Sequence, residues 1–222
     1  YTVKLRENLL WHDEEKLTAD YIYFTYSTIQ NPDTASPRLA TWKDVKVNVL
    51  DERTVTFALP NPYASFIYLT DVPIIPEHIL RDVPVTNLRV SEFSTEPIGS
   101  GSYVFDELKF VKDVEEVHML ANEDYYKSRP YIDEVVIRAY PGYNDLAYAY
   151  NRRDVSGMSR VGASDLTRQG HLPNISAYDL AIPEYDALIY NTKSDLTKDK
   201  TLSEAISLSI DKSRIVEEVY YD

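Results

Sequence analysis

Four histidines, His12, His78, His118 and His171, are the first residues to test for chemistry. A zinc site of the helical type needs two of them at H-x-x-x-H spacing, and no pair here stands in that relation. The chain has no cysteine, so thiolate nucleophiles, disulfides and cysteine-ligated zinc are excluded together. Gly99-Ser100-Gly101-Ser102 matches neither G-x-S-x-G nor G-x-G-x-x-G, because Val104 stands where the third glycine belongs. The carboxylate runs Asp13-Glu14-Glu15, Glu115-Glu116 and Glu217-Glu218 put neighbours on diverging faces, the pattern of a solvated surface rather than an acid/base pair. Tyrosine is the unusual residue, with 19 copies that include Tyr21, Tyr23 and Tyr26, then Tyr143, Tyr148 and Tyr150, then Tyr185 and Tyr190. A rigid apolar ring with a polar tip suits a recognition cleft, and it equally suits the rim of an ordinary core. The chemistry on offer is recognition, and no catalytic constellation survives inspection.

Composition narrows the partners. In 222 residues, 23 Lys and Arg stand against 36 Asp and Glu, a net charge of -13 that opposes nucleic acid and anionic lipid. Hydrophobic residues make up 44%, enough for a sizeable core, while no apolar run approaches the roughly 20 residues of a membrane helix. The chain opens at Tyr1 in strand-like sequence with neither Met nor signal segment, so targeting information is expected to have been removed.

The elements that must position these residues alternate between helix and strand without regular βαβ order. Residues 1–6 alternate as a strand. Thr18 caps a helix that carries Ile22, Tyr26 and Ile29 on one face and stops near Asn31-Pro32. Val45, Val47 and Val49, a turn at Asp51-Glu52, then Val55, Phe57 and Leu59 predict a hairpin with one buried face. Asn61-Pro62 and Pro76 each signal a brief helix, and residues 81–97 read as a polar connection. Beyond Pro97-Ile98-Gly99-Ser100-Gly101, strands are expected through Tyr103 and Phe105, through Val117 and Met119, and through Ile132 to Ile137. A helix at 144–150, a strand near Val155, a helix capped by Ser164, strands over 174–180 and 187–190, and helices over 201–210 and 212–221 complete the reading.

Several runs, in order along the whole chain, resemble the solute-binding proteins of peptide ABC transporters, the oligopeptide/dipeptide-binding family. They include Tyr1 to Asn8 with Trp11-His12-Asp13 and Leu17 to Asp20, Asn31 to Pro37, Asn61 to Phe66, and Pro73 to Ile79. Pro97 to Tyr103, Asn122 with Tyr125-Tyr126 through Val135, Tyr190-Asn191-Thr192 and Ala205 to Asp211 continue the series. The resemblance implies a mixed α/β fold, of α+β character, with periplasmic-binding-protein-like type II lobes and the inserted subdomain of the peptide binders. It places 1–96 in the inserted second subdomain, 97–187 in the central part of the first lobe and 188–222 at the start of the third subdomain; the N-terminal region and most of the C-terminal lobe lie outside the match. Glu14 stands where that family usually has glycine, Ser102 where proline is frequent, and Ser203 where arginine is frequent. Arg153 and Ser156 interrupt a common Gly-Glu-Val-Asp run.

The function implied is capture of short peptides in an interlobe cleft and delivery to membrane permease subunits, outside the cytoplasm, in the periplasm or on a lipid anchor. No cofactor, catalysis or nucleic acid is expected. The residue after Ser36-Pro37 is a ligand-facing tyrosine in the oligopeptide binders and is Arg38 here, whose guanidinium meets a ligand carboxylate or sits in water. The resemblance also brings Ser159, Arg160, Val161, Tyr185 and Asp186 to the cleft, with Asn191 facing it or satisfying local backbone. Alternatives are the same fold holding an oligosaccharide, a nickel chelate or haem, a scaffold that binds nothing by itself, and, last, an enzyme on an unrelated fold.

Overall fold

Ala19, Ile22 and Tyr26 share one helical face, and in the computed structural model they are the buried stripe of helix α1 (Ala19–Gln30). Thr18 is the extended N-cap and Asn31 closes the helix ahead of Pro32, whose ring cannot continue it. The structure describes residues 1–111, 114–159, 161, 176, 178 and 186–220. They belong to two units, Tyr1–Gly142 and Tyr143–Asp222.

In the first unit, strands β1 (Thr2–Lys4), β2 (Lys46–Asp51) and β3 (Thr54–Ala58) form an antiparallel sheet in the order β1-β3-β2. Val47 pairs with Phe57 and Val49 with Val55, so period-2 alternation aims Val47, Val55 and Phe57 at α1. The register shifts between Val49 and Asp51, which carries Leu50 outward as a bulge and moves the turn one residue on, to Glu52-Arg53. Trp42, at the end of the short helix α2 (Leu39–Trp42), fills the space over the hairpin and is only 1% exposed. Its ring centroid lies 4.2 Å from Tyr26, 5.9 Å from Phe57 and 5.3 Å from Phe66. The Gln30 amide donates to the Trp42 carbonyl at 2.7 Å and the Val45 carbonyl at 2.6 Å, bracing the irregular α2–β2 link beside its own turn bond from Val45 N to Trp42 O at 3.0 Å.

Phe66 opens helix α3 (Phe66–Leu69), later than Asn61-Pro62 suggested, and Pro76 caps helix α4 (Glu77–Leu80). Between them the chain runs extended beside α1, where the buried Thr25 hydroxyl accepts from Ile75 N at 3.0 Å and donates to Tyr21 O at 2.8 Å. The polar connection after α4 coils into 3-10 turns at Val85–Val90 and Glu92–Ser94.

A second antiparallel sheet follows as a meander of β4 (Tyr103–Val111), β5 (Val114–Ala121) and β6 (Glu134–Ala139). Asp106 is bulged out between Phe105 and Glu107. One face carries Leu108, Val117 and Ile137 in register, while the other carries Glu116 and His118 opposite Arg138 and Val136.

The second unit contains helix α5 (Tyr143–Asn151) and helices Lys200–Ser209 and Lys212–Ile215, the last running on as a π turn over Val216–Tyr220. Asp199 accepts from Thr201 N at 2.8 Å and Asp211 from Arg214 N at 3.0 Å, side-chain caps that separate the two helices. Two expected strands are corrected: Val155 lies in a bend and 187–190 is not strand, because no described segment offers either a partner ladder. The helix at Ser164 and nearly all of 174–180 lie outside the described residues.

Backbone strain sits at two positions where the resemblance expects glycine: Glu14 has φ 69° and Arg153 φ 64°. Glu14→Gly is expected to raise stability by about 0.5–1 kcal/mol in chemical denaturation, since the left-handed conformation carries no Cβ penalty for glycine. Trp42→Ala is expected to cost about 3–5 kcal/mol in the same measurement, because it empties the centre of the aromatic stack.

Candidate functional site

The residues assigned to the cleft by resemblance fall in both units. Arg38, at the N-cap of α2 in the first unit, is exposed. Its charge is felt by the buried Tyr26 phenol, which desolvation pushes up to about 12 against the opposing pull of that guanidinium. In the second unit Ser159 and Asp186 are exposed and Val161 is half-buried. Arg160 and Tyr185 lie outside the described residues. Asn191 is exposed, and its Oδ1 accepts from Lys193 N at 3.1 Å while its carbonyl accepts from Ser194 N at 3.0 Å, the local backbone role. Arg38, Asp186 and Asn191 are thus unburied, and reaching them would not require breaking a packed core.

More constrained geometry gathers around Trp11-His12-Asp13. His12 N donates to Gly99 O at 2.8 Å, Gly99 N donates to His12 Nδ1 at 3.1 Å, and His12 Nε2 lies 3.2 Å from Gly101 O. An amide can only donate to Nδ1 and a carbonyl can only accept from Nε2, an arrangement that fits an imidazole carrying its proton on Nε2. Gly101 O also accepts from Asn122 Nδ2 at 2.8 Å, and Asn122, itself buried, donates its backbone amide to Ser102 O at 2.9 Å. The backbone at Gly99 approaches the ring closely: a Cβ there would lie 3.2 Å from His12 Cε1 and would press on the imidazole.

The next residue, Asp13, accepts from His78 Nε2 at 2.7 Å, and His78 Nδ1 meets the Tyr21 hydroxyl at 2.9 Å. Trp11 packs edge-on to Tyr21, with centroids 5.2 Å apart. Burial, helped by the carboxylates of Glu15 and Asp13, raises the Tyr21 phenol, keeping it protonated beside His78. This Asp-His-Tyr line has the appearance of a proton relay, yet each member sits on a different element: the loop, α4 and α1. It braces those elements together.

On the second sheet Glu116 is 6% exposed and shares its oxygens between His118 Nε2 at 3.2 Å and Arg138 Nε at 2.9 Å. His118 Nδ1 reaches Glu134 at 2.8 Å. A buried carboxylate without such partners would be costly, and here two cations hold it. Among the described residues no group of three His, Cys, Asp or Glu is arranged to hold a metal ion. None of the described helices is long and apolar enough to cross a membrane.

Sequence inspection treated the four histidines as scattered, and so missed that His12 and Gly99, 87 residues apart, are partners. The available signal was that both lie in runs matching one family.

The fold is that of the type II periplasmic binding proteins, a class of ligand receptors built from mixed helix and sheet lobes. The model of the bacterial extracellular solute-binding proteins, family 5 Middle, matches residues 1–222, and the chain belongs to that family. Oligopeptide-binding protein AppA of Bacillus subtilis is 32% identical over 224 residues, which cover 99% of this chain and 40% of that protein. A putative ABC transporter peptide-binding protein of Brucella ovis is 30% identical, over 99% of this chain and 41% of its own. Among solved structures, Bacillus subtilis AppA in complex with a nonapeptide aligns with a TM-score of 0.78 at 31% identity, over 100% of this chain and 44% of its own. NikZ from Campylobacter jejuni in complex with Ni(L-His) aligns with a TM-score of 0.82 at 26% identity, again over 100% and 44%. The chain spans about two fifths of the length of these curated relatives.

The Glu134 hydrogen bond, followed by that of Glu116, raises His118 above the ordinary histidine value of about 6.5. Folding therefore favours the protonated imidazole. The stabilisation is fully present below about pH 6.5 and is lost as pH rises through the raised value. The wild type is expected to lose denaturant resistance over that interval relative to His118→Gln, and parallel pH profiles of midpoint would contradict the linkage.

Proposed function

We propose that this chain is part of the substrate-binding component of an ABC importer that captures short peptides and delivers them to membrane permease subunits. The observation that carries the reading is the match over residues 1–222 to an extracellular solute-binding family, with relatives at 30% identity or more that are named as peptide binders. The mechanism is capture without turnover. Two lobes close about a hinge, and the peptide drives closure only in so far as it binds the closed form better than the open one. Broad recognition comes from pairing the peptide's main-chain donors and acceptors, leaving its side chains in wet pockets.

In this reading Arg38 and Arg160 face ligand carboxylates, Asp186 faces a ligand cation, and Ser159, Val161, Tyr185 and Asn191 line the same cleft. The subdomain division at about 96/97 and 187/188 is part of the proposal, as is a periplasmic or lipid-anchored location. The exposure of Arg38 and Asp186 supports an approach by ligand, since a charge already buried in an ion pair is costly to redirect.

Native mass spectrometry of the gently purified full-length protein, before and after incubation with a tryptic digest, tests the reading. Retained short peptides are expected. A sugar, haem or nickel-chelate adduct, or failure to retain any peptide from the digest, would overturn it. Asp186→Ala is expected to weaken peptide binding roughly tenfold, about 1.4 kcal/mol, in calorimetric titration, and an unchanged isotherm would remove Asp186 from the site.

A further inference from the structure

Three runs that resemble the solute-binding family are linked through one imidazole: His12 of Trp11-His12-Asp13 bonds to Gly99 and Gly101 of the run Pro97 to Tyr103, and the Gly101 carbonyl is shared with Asn122, which begins the third. The peptide-capture reading gives none of them a task. His12 belongs to the part of the chain that carries the β1-β3-β2 sheet, whereas Gly99–Gly101 and Asn122 flank the first two strands of the β4-β5-β6 sheet. A second tie runs in parallel, with the Arg6 guanidinium, just past β1, 5.4 Å from the ring centroid of Tyr126 in the β5–β6 loop.

We propose that His12, held as the neutral Nε2–H tautomer, is a positioning residue that welds the two sheets of the first unit into one body, and that protonating it loosens the weld. The reason is donor–acceptor arithmetic. Protonated Nδ1 is a donor, and it would face the Gly99 amide, also a donor, at 3.1 Å. One bond is lost and a repulsion replaces it, while the Nε2–H bond to Gly101 O survives. The charged groups around the imidazole lie mainly on its own turn: Asp13, which already accepts from His78, Glu14, and Glu15. Residues 98–102 bring no charge, and Asn122 is neutral with Asp124 two residues beyond. The consequence rests on the capture reading: when a ligand closes the lobes, the two sheets travel together.

Long-range 15N–1H NMR of the full-length protein reads the tautomer directly. Nδ1 is expected as an unprotonated acceptor and Nε2 as protonated; the opposite tautomer, or an exchanging mixture, overturns the assignment. Through the acid titration of His12, the Gly99 amide is expected to lose at least tenfold of its hydrogen-exchange protection in the wild type. His12→Gln keeps an acceptor and a donor that do not titrate, and its protection is expected to stay flat. Unchanged protection in the wild type, or the same loss in His12→Gln, overturns the proposal, and neither arm depends on His12→Ala folding. This chain brings no cysteine of its own, and in the full-length protein with every cysteine outside it replaced by serine, spin labels at Lys46→Cys and Lys109→Cys report the distance between the sheets. That distance is expected to stay constant when a tryptic peptide mixture is added and to broaden on acidification. A ligand-induced change in distance overturns the one-body claim, whereas absence of any peptide binding defeats the capture reading and leaves the tautomer and exchange arms to decide the weld.

Discussion

Burial of the Trp42 indole is the constraint from which most of the first unit follows. A side chain of that size is nearly inaccessible to water only if helix α1, the β2–β3 hairpin and Phe66 all come to it, and the ring distances of 4.2 to 5.9 Å record that they do. Once α1 is seated, its first residue is tied to the hairpin turn by Ala19 N donating to Glu52 O at 2.8 Å. The loop ahead of it is then fixed from both ends, by β1 in the sheet and by α1 on it. Trp11, Leu17 and Tyr21 close a second small core beneath that loop.

This arrangement turns a surface loop into a rigid platform. Asp13, His78 and Tyr21 link it to α4 and α1, and His12 links it to Gly99 and Gly101. Both links run through a histidine whose two ring nitrogens each meet a partner, which gives the ring a defined orientation. The loop accommodates this at the expense of a left-handed backbone at Glu14, where the family it resembles usually has glycine. The strain is local, and the surrounding bonds hold it in place.

The second sheet is built on a different principle. Its polar face is organised by charge: Glu116 lies buried between His118 and Arg138, and Arg129 ties the following loop by bonding Glu123 at 2.7 Å and Asp133 at 2.6 Å. Truncating one partner of such a cluster leaves a buried charge unmatched, so the cluster fixes one register more firmly than its net contribution to stability suggests.

Much of the architecture was legible from spacing alone. The α1 stripe, the β2–β3 hairpin, the β4-β5-β6 meander and the helices near the end of the described chain follow from periods of 3.6 and 2, with Thr18 marking a helix start. Those are local properties, set by each residue and its near neighbours. The one-residue shift of the hairpin turn, the failure of 187–190 to form a strand and the late start of α3 were not legible, because each depends on what the segment meets across space. Family membership was readable from ordered runs, yet the reason those runs recur together was not. Only the tertiary structure brought His12 to Gly99 across 87 residues, Asp13 to His78 across 65, and Arg138 on β6 to Glu116 on β5. A hydrogen bond needs a partner within about 3 Å, and for residues so far apart in sequence that distance is decided by packing.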